Sequence, residues 1–184
     1  MKKVMLLGDS IRLSYRQRVA EILAGEATIH GPDDNCRFSA YTLFNLRGWV
    51  PDEDYDVIHW NNGQWDTCYM PDGKIHTPLD AYVQLQVRIA AILGKKAKRL
   101  IFATTTPVHA DMFQKAPVNP RKNEDIEVYN RTATDALSGL GVEINDLYTP
   151  LAEDIPTFIS EDRVHLTPAG VDRCAVLVVA QITR

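Results

Sequence analysis

The sequence has few cysteines and no cysteine pattern typical of a metal site. Only Cys36, Cys68 and Cys174 are present in 184 residues. None of them forms the closely spaced pairs that zinc sites use. Their odd number also fits poorly with a disulfide framework. We therefore expect reduced thiols, no bound metal and a cytoplasmic location.

Long apolar runs are also missing. The longest candidate, residues 175–180, is far too short to cross a bilayer. The apolar run near the N-terminus breaks at Gly8, so it is too short for the core of a signal peptide. Both observations predict a cytoplasmic protein without a membrane partner.

A block of basic charge is absent as well. The net charge is −4 and the calculated pI is about 5.7. The densest basic stretch, residues 95–99, follows a helical pattern, and we interpret it as a solvated helix end. Nothing in this charge distribution indicates a nucleic-acid partner.

What the sequence contains is typical of one globular domain spanning residues 1–184. Hydrophobic residues make up 45% and charged residues 24%. This length allows one well-buried core and is short for two. The sequence does not indicate an oligomeric state.

Short apolar runs alternate with helical periodicity along the chain. The patterns predict strands at residues 4–7, 27–30, 55–60, 99–106 and 142–146. They predict helices at residues 13–23, 39–46, 80–94, 124–137 and 167–182. Five strands separated by helices indicate an α/β fold with a parallel sheet covered on both faces.

The first strand ends at Gly8 and is followed by Asp9 and Ser10. In an open α/β sheet, ligands bind at the carboxyl ends of the strands, which makes a hydroxyl group there a candidate for chemistry. Asp9 or Ser10 would also serve as the N-cap of the next helix, and this stretch taken alone favours capping. Both interpretations stay open at this point.

A serine nucleophile needs a base, and His165 is the best-placed histidine. Thr167 and Pro168 are typical of a helix start, so His165 lies just before a helix. Asp162, three residues earlier, would orient the imidazole. The alternative is a surface loop with two unrelated solvated side chains. His59 lies in a strand pattern and is interpreted as a core residue.

Acyl transfer also needs hydrogen-bond donors for an oxyanion. Asn61 and Asn62 follow the third strand and could supply an amide, although asparagine also suits a sharp turn there. The stretch at Asn35 and Cys36, after the second strand, offers backbone N–H groups.

Three motifs together resemble the SGNH hydrolases, also called GDSL esterases and lipases. They are Gly8-Asp9-Ser10, Asn61-Asn62-Gly63 and Asp162-Arg163-Val164-His165. They occur in the family's order and span the chain. The resemblance implies a three-layer α/β/α sandwich on a five-stranded parallel sheet with flavodoxin-like strand order. Ser10 and Asn61 would then lie on neighbouring strands.

The same resemblance implies roles for individual residues. Ser10 would be the nucleophile, His165 the general base and Asp162 its partner. The oxyanion would be bound by the N–H groups of Ser10 and Cys36 and by the amide of Asn61. Asn62 is the alternative to Asn61, because the glycine expected before the asparagine is missing. Cys36 stands where the family has glycine; a backbone N–H survives that change, but the Cβ narrows the pocket.

The implied reaction is two-step ester hydrolysis, which needs no metal or organic cofactor. Loops at residues 64–78 and 108–122 contain Trp65, Tyr69 and His109 as candidates for substrate binding. Their aromatic rings would either stack on a sugar or simply cover the core. We expect a small acyl group, acetyl first, on a small-molecule ester such as an acetylated sugar.

The alternative from another class is a non-enzymatic α/β module, including an inactive relative that binds a glycan. A phosphate-accepting receiver domain would need an acidic pair after the first strand and an aspartate after the third. The chain has Gly8-Asp9-Ser10 and Asn61-Asn62 at these places. An inactive relative would keep the same pattern, so this alternative stays open.

Overall fold

The computed structural model describes residues 1–51, 54–116 and 118–184. Position 117, within the predicted loop 108–122, lies outside the described residues. In chain order the elements are β1 (Lys2–Leu7), α1 (Ser10–Ile22), β2 (Ala27–His30), α2 (Ser39–Trp49), β3 (Tyr55–Trp60), α3 (Leu79–Leu93), β4 (Ala97–Ala103), α4 (Met112–Lys115), α5 (Asn123–Ser138), β5 (Glu143–Asn145), α6 (Tyr148–Ala152), α7 (Ile155–Phe158) and α8 (Pro168–Thr183).

The five strands form one parallel sheet in the order β2-β1-β3-β4-β5. Side chains of β1 are buried on both faces. Val4 and Leu6 pack with α1 and α8, whereas Met5 and Leu7 pack with α2, α3 and α5. This confirms the predicted α/β sandwich, because a strand covered on both faces is apolar at consecutive positions.

The order of the strands brings the ends of β1 and β3 together. Leu7 pairs with Trp60 in the register of these strands. The backbone N–H of Asn61 continues the pairing by donating to the Leu7 carbonyl at 3.2 Å. The residues that follow β1 and β3 therefore meet at one edge of the sheet.

The basic stretch at residues 95–99 is not a helix end, which corrects our interpretation. β4 begins at Ala97, so Lys98 and Arg99 belong to a strand. Lys98 Nζ lies 2.7 Å from Asp56 of β3, and Arg99 Nε lies 2.7 Å from Glu143 of β5. These cations pair with acidic residues on the neighbouring strands.

Helix boundaries differ from the predictions in two places. α1 begins three residues earlier than predicted, at Ser10, because Asp9 caps it. α2 continues through Gly48 to Trp49, although glycine was expected to end it. The short helices α4, α6 and α7 were not predicted, since elements of four or five residues carry little periodicity. Within the described ranges, no helix is long and apolar enough to cross a membrane.

Candidate active site

The turn between β1 and α1 resolves the choice between capping and chemistry at Ser10. Asp9 Oδ1 accepts a hydrogen bond from the Ile11 N–H at 3.0 Å, so Asp9 is the N-cap. Ser10 is the first residue of α1, and its hydroxyl is not needed as the cap. Gly8 is required here because a Cβ at this position would collide with the Asn61 side chain.

Ser10, His165 and Asp162 form a hydrogen-bonded chain. Ser10 Oγ lies 2.9 Å from His165 Nε2, and His165 Nδ1 lies 2.6 Å from Asp162 Oδ2. Thr167 Oγ1 caps α8 by accepting from the Gly170 N–H at 3.1 Å, and this fixes the loop before the helix. The structure thus brings together the three residues that the sequence singled out.

Asp162 is held by its own loop. Its Oδ1 accepts from the N–H groups of Val164 and His165 and from the Ser160 hydroxyl, each at 2.9 Å. Partial burial alone would raise the pKa of Asp162, but these hydrogen bonds outweigh burial and lower the pKa well below its usual value. Because the carboxylate can only accept, a neutral His165 carries its proton on Nδ1 and presents an acceptor, Nε2, to Ser10.

Asn61 and Asn62 have different surroundings. Both hydrogens of the Asn62 amide are used, since Nδ2 donates to Thr42 Oγ1 at 2.9 Å and to the Arg37 carbonyl at 3.1 Å. Among the residues that the structure describes, Asn61 Nδ2 makes a single, long hydrogen bond of 3.4 Å, to Asp9 Oδ1. Asn61 therefore keeps donor capacity beside Ser10, whereas Asn62 is occupied in joining β3 to α2.

Cys36 does not offer the N–H group that was expected of it, which corrects that prediction. Its N–H donates to the Gly8 carbonyl at 3.1 Å, and the residue is fully buried. The next residue, Arg37, has a φ of 50°, in the left-handed region that favours glycine. The Arg37 N–H donates to Asn35 Oδ1 at 2.8 Å. The loop contains a residue with glycine-like backbone geometry, one position later than predicted.

The sequence interpretation missed Arg12, a fully buried arginine on α1. Its guanidinium donates to the carbonyls of Gly8 (3.1 Å), Pro32 (2.8 Å) and Asp34 (2.9 Å). It therefore fastens the loop after β2 to the turn that carries Ser10. One signal was available, because Arg12 shares a helical face with the buried Tyr15.

The sequence interpretation also missed Asp66, an aspartate that is fully buried in the fold. Its carboxylate accepts from the Ser39 hydroxyl at 2.6 Å and from the Ser39 N–H at 3.1 Å. Burial raises the pKa of Asp66, and these hydrogen bonds act in the opposite direction. The residue ties the loop after β3 to the start of α2. No spacing within the sequence points to this pair.

A cavity of about 360 Å³ opens beside Ser10. It is lined by Ser10, Gln64, Trp65, Met112, Ala116, Val118, Arg121, Asp162, Arg163, Val164 and His165. Of the three predicted substrate contacts, Trp65 lies here. The Tyr69 hydroxyl instead donates to Asp125 at 2.8 Å, and His109 lines a separate cavity of about 510 Å³. The structure therefore does not bring Tyr69 and His109 to the cavity beside Ser10.

His59 is a core residue, as predicted. It is fully buried, and its Nε2 lies 3.1 Å from the Asn145 amide nitrogen. Desolvation lowers the pKa of His59 to about 3, so the ring stays neutral in the folded protein.

No protein-family model and no curated protein sequence matches the chain. Solved structures do match it. An acetyl xylan esterase aligns with a TM-score of 0.79 at 18% identity, over 97% of this chain and 98% of that chain. A lipolytic protein of the G-D-S-L family from Veillonella parvula aligns at 0.78 and 15% identity over 100% of both chains. An acetylxylan esterase from Geobacillus stearothermophilus aligns at 0.77 and 15% identity, over 100% and 94%.

These alignments cover nearly the whole length of each chain. At identities below one fifth, they establish the fold. The protein has the fold of the GDSL, or SGNH, hydrolases, as the resemblance of its three motifs predicted.

Proposed function

We propose that the protein is a serine esterase that removes a small acyl group, acetyl first, from a small-molecule ester. The observation that carries the proposal is the hydrogen-bonded chain from Ser10 through His165 to Asp162, with distances of 2.9 and 2.6 Å. A serine hydroxyl is a weak nucleophile until a base takes its proton, and this arrangement supplies an oriented base.

The first half of the reaction forms an acyl-enzyme. His165 Nε2 takes the proton of the Ser10 hydroxyl while Oγ bonds to the ester carbonyl carbon. The charged Asp162 stabilises the imidazolium that results. When the tetrahedral intermediate collapses, His165 returns the proton to the departing alcohol. In the second half, His165 activates water in the same way, and the acid is released.

The oxyanion of the intermediate needs donors at the same edge of the sheet. Ser10 begins α1, so its N–H has no acceptor within the helix and lies at the positive end of the helix dipole. The Asn61 amide is the second donor that we propose, because its bond to Asp9 is long. We leave Cys36 and Asn62 out of this role, since their donors are occupied.

Two observations support an acetyl ester of a sugar as the substrate. Trp65 lines the cavity beside Ser10, and an indole offers a flat apolar face on which a sugar ring stacks. Two structures that share the fold are described as acetyl xylan esterases.

Labelling with a fluorophosphonate probe tests the activated serine directly. We expect rapid labelling of the wild-type protein and none of Ser10→Ala. Ser14→Ala is the matched control, because Ser14 lies on the same helix and is exposed. Wild-type protein that labels no faster than free serine would refute the nucleophile and favour an inactive glycan-binding relative.

Substrate class needs a second experiment. We expect acetylated monosaccharides and 4-nitrophenyl acetate to be hydrolysed with higher kcat/KM than 4-nitrophenyl esters of eight or more carbons. The reverse order would contradict the preference for a small acyl group, while leaving the serine mechanism in place.

A further inference from the structure

Arg121 is an arginine buried in the wall of the cavity that contains Ser10 and His165. Its exposed fraction is 8%. Burying a guanidinium is costly unless its charge and its N–H groups are satisfied, so its surroundings need an explanation.

The partners of Arg121 are backbone carbonyls rather than an acid. Its Nε donates to the Gln64 carbonyl, and Nη1 donates to the Asn119 carbonyl at 2.9 Å. No carboxylate within residues 1–51, 54–116 and 118–184 forms an ion pair with it. By contrast, the other arginine of this cavity, Arg163, pairs with Asp111 at 3.1 Å.

The electrostatic environment agrees with this picture. Burial lowers the pKa of Arg121, and the more distant Asp9 acts in the opposite direction. The guanidinium keeps its charge, because arginine does not deprotonate in proteins near neutral pH. The wall of the cavity beside the nucleophile thus contains a desolvated cation whose Nη2 has no hydrogen-bond partner among the described residues; the same side chain also lines the cavity of about 510 Å³.

The geometry points to Arg121 as the receptor for a carboxylate of the substrate. We infer that this enzyme prefers an ester that also carries an anionic group, placed a few bonds from the reacting carbonyl. A guanidinium binds a carboxylate through charge-assisted hydrogen bonds, and a dry site strengthens them. This inference rests on the proposed esterase function. An acetyl ester of a sugar acid would satisfy both proposals.

A purely structural role makes a different prediction. Arg121 also connects residues 108–122 with the loop after β3 through its bond to Gln64. If that connection were its whole role, its loss would lower the hydrolysis of charged and neutral esters in parallel. A receptor for a carboxylate affects the charged ester more.

The test compares matched esters in which the carboxylate lies on either side of the scissile bond. In the first pair, 4-acetoxybenzoate carries the carboxylate on the alcohol, and 4-acetoxybenzamide is its neutral counterpart. In the second pair, 4-nitrophenyl hemisuccinate carries the carboxylate on the acyl group, and 4-nitrophenyl butyrate is its neutral counterpart. The measured quantity is the ratio of kcat/KM for the charged ester to that for the neutral one, in wild type and in Arg121→Gln.

We expect Arg121→Gln to lower this ratio roughly 10- to 100-fold for at least one pair. The pair that responds identifies the side that carries the anion. Arg88→Gln is the matched control, because Arg88 is exposed on α3 and does not line the cavity, and it should leave both ratios unchanged. Ratios that do not change in Arg121→Gln would overturn the inference.

A measurement on the wild-type protein covers the case in which Arg121→Gln does not fold. By calorimetry, 4-hydroxybenzoate should bind at least about 10-fold tighter than 4-hydroxybenzamide if the anion lies on the alcohol, or succinate at least about 10-fold tighter than succinamate if it lies on the acyl group. This readout does not depend on turnover. Failure of fluorophosphonate labelling would refute the esterase proposal alone, whereas equal binding within both ligand pairs would refute the carboxylate receptor alone.

Discussion

Two loops meet at the edge of the sheet where Ser10 lies, and they are built in opposite ways. In the loop at residues 160–167, Asp162 accepts four hydrogen bonds from residues at most three positions away, and about half of its side chain is exposed. The loop at residues 31–38 is held instead by Arg12, which is fully buried and more than twenty positions from some of its partners.

The two loops therefore contribute differently: the loop at residues 160–167 carries side chains proposed for catalysis, and the loop at residues 31–38 depends on Arg12 for its stability. The exposed side chains of Asp162 and His165 can be changed with small loss of stability, because exposed polar groups contribute little to folding. Removing Arg12 would break its hydrogen bonds to the carbonyls of Gly8, Pro32 and Asp34 and would take away a fully buried side chain, so the expected loss of stability is larger. Substitutions in the two places should therefore have different consequences.

The largest expected effect is on catalysis through the first loop. His165→Ala should lower kcat for 4-nitrophenyl acetate by at least about 10⁴-fold, because the base is lost. Asp162→Asn should be about 10- to 100-fold less damaging than His165→Ala, since the imidazole remains. Steady-state kinetics measures both values, and circular dichroism checks that the variants are folded.

Asp172→Asn is the matched control for the aspartate, because Asp172 lies exposed on α8 and pairs with Arg18. It should retain kcat within a factor of two of the wild type. If Asp162→Asn were as active as this control, Asp162 would have no part in orienting the base.

A second pair of variants separates the two asparagines after β3. Asn61→Ala should lower kcat about 10²-fold, because an oxyanion donor is lost. Asn62→Ala should instead lower the free energy of unfolding, by about 1–3 kcal/mol, since Thr42 and the Arg37 carbonyl lose a buried donor. Steady-state kinetics gives kcat, and urea unfolding gives the free energy of unfolding, for both variants. A larger loss of kcat in folded Asn62→Ala would reverse our assignment.

The third comparison tests how the loop after β2 is held. Arg12→Met keeps much of the side-chain volume but leaves the carbonyls of Gly8, Pro32 and Asp34 without this donor. We expect the free energy of unfolding to fall by about 2–4 kcal/mol. Arg16→Met is the control, because Arg16 pairs with the exposed Asp33, and it should cost less than about 1 kcal/mol. Equal losses in urea unfolding would contradict the role of Arg12.

The same contrast explains which features the sequence could predict. Apolar runs such as the one before Gly8 identify buried strands, and the spacing of Asp162, His165, Thr167 and Pro168 lies within a few residues. Such short-range patterns determine local geometry, so the sheet and the loop of His165 were predicted correctly. The choice of Asp9 as the cap needed the structure, because both Asp9 and Ser10 are good caps.

The features that escaped prediction depend on contacts between distant residues. Arg121 looks like an ordinary surface arginine in the sequence, and for Arg12 its helical spacing to Tyr15 is the one signal of burial; the fold buries both. The Cys36 N–H was expected to be free, but its acceptor is Gly8, 28 positions earlier. Likewise, Tyr69 and His109 belong to loops near the edge of the sheet but lie outside the cavity beside Ser10. The Tyr69 hydroxyl bonds to Asp125, and His109 Nε2 lies 3.1 Å from the Ile159 carbonyl oxygen.

The smallest expected effect concerns pH and returns to Asp162. Its pKa is lower in the folded protein than the ordinary value of about 3.9. The charged form is therefore favoured by folding, so the stabilisation is fully present above about pH 4 and disappears as pH falls through the folded pKa. The melting temperature of wild type should exceed that of Asp162→Asn by on the order of 1 °C at pH 6, because the group is half exposed. The difference should shrink below about pH 4. A difference that grows with acidity would show that the carboxylate is not stabilised by its loop.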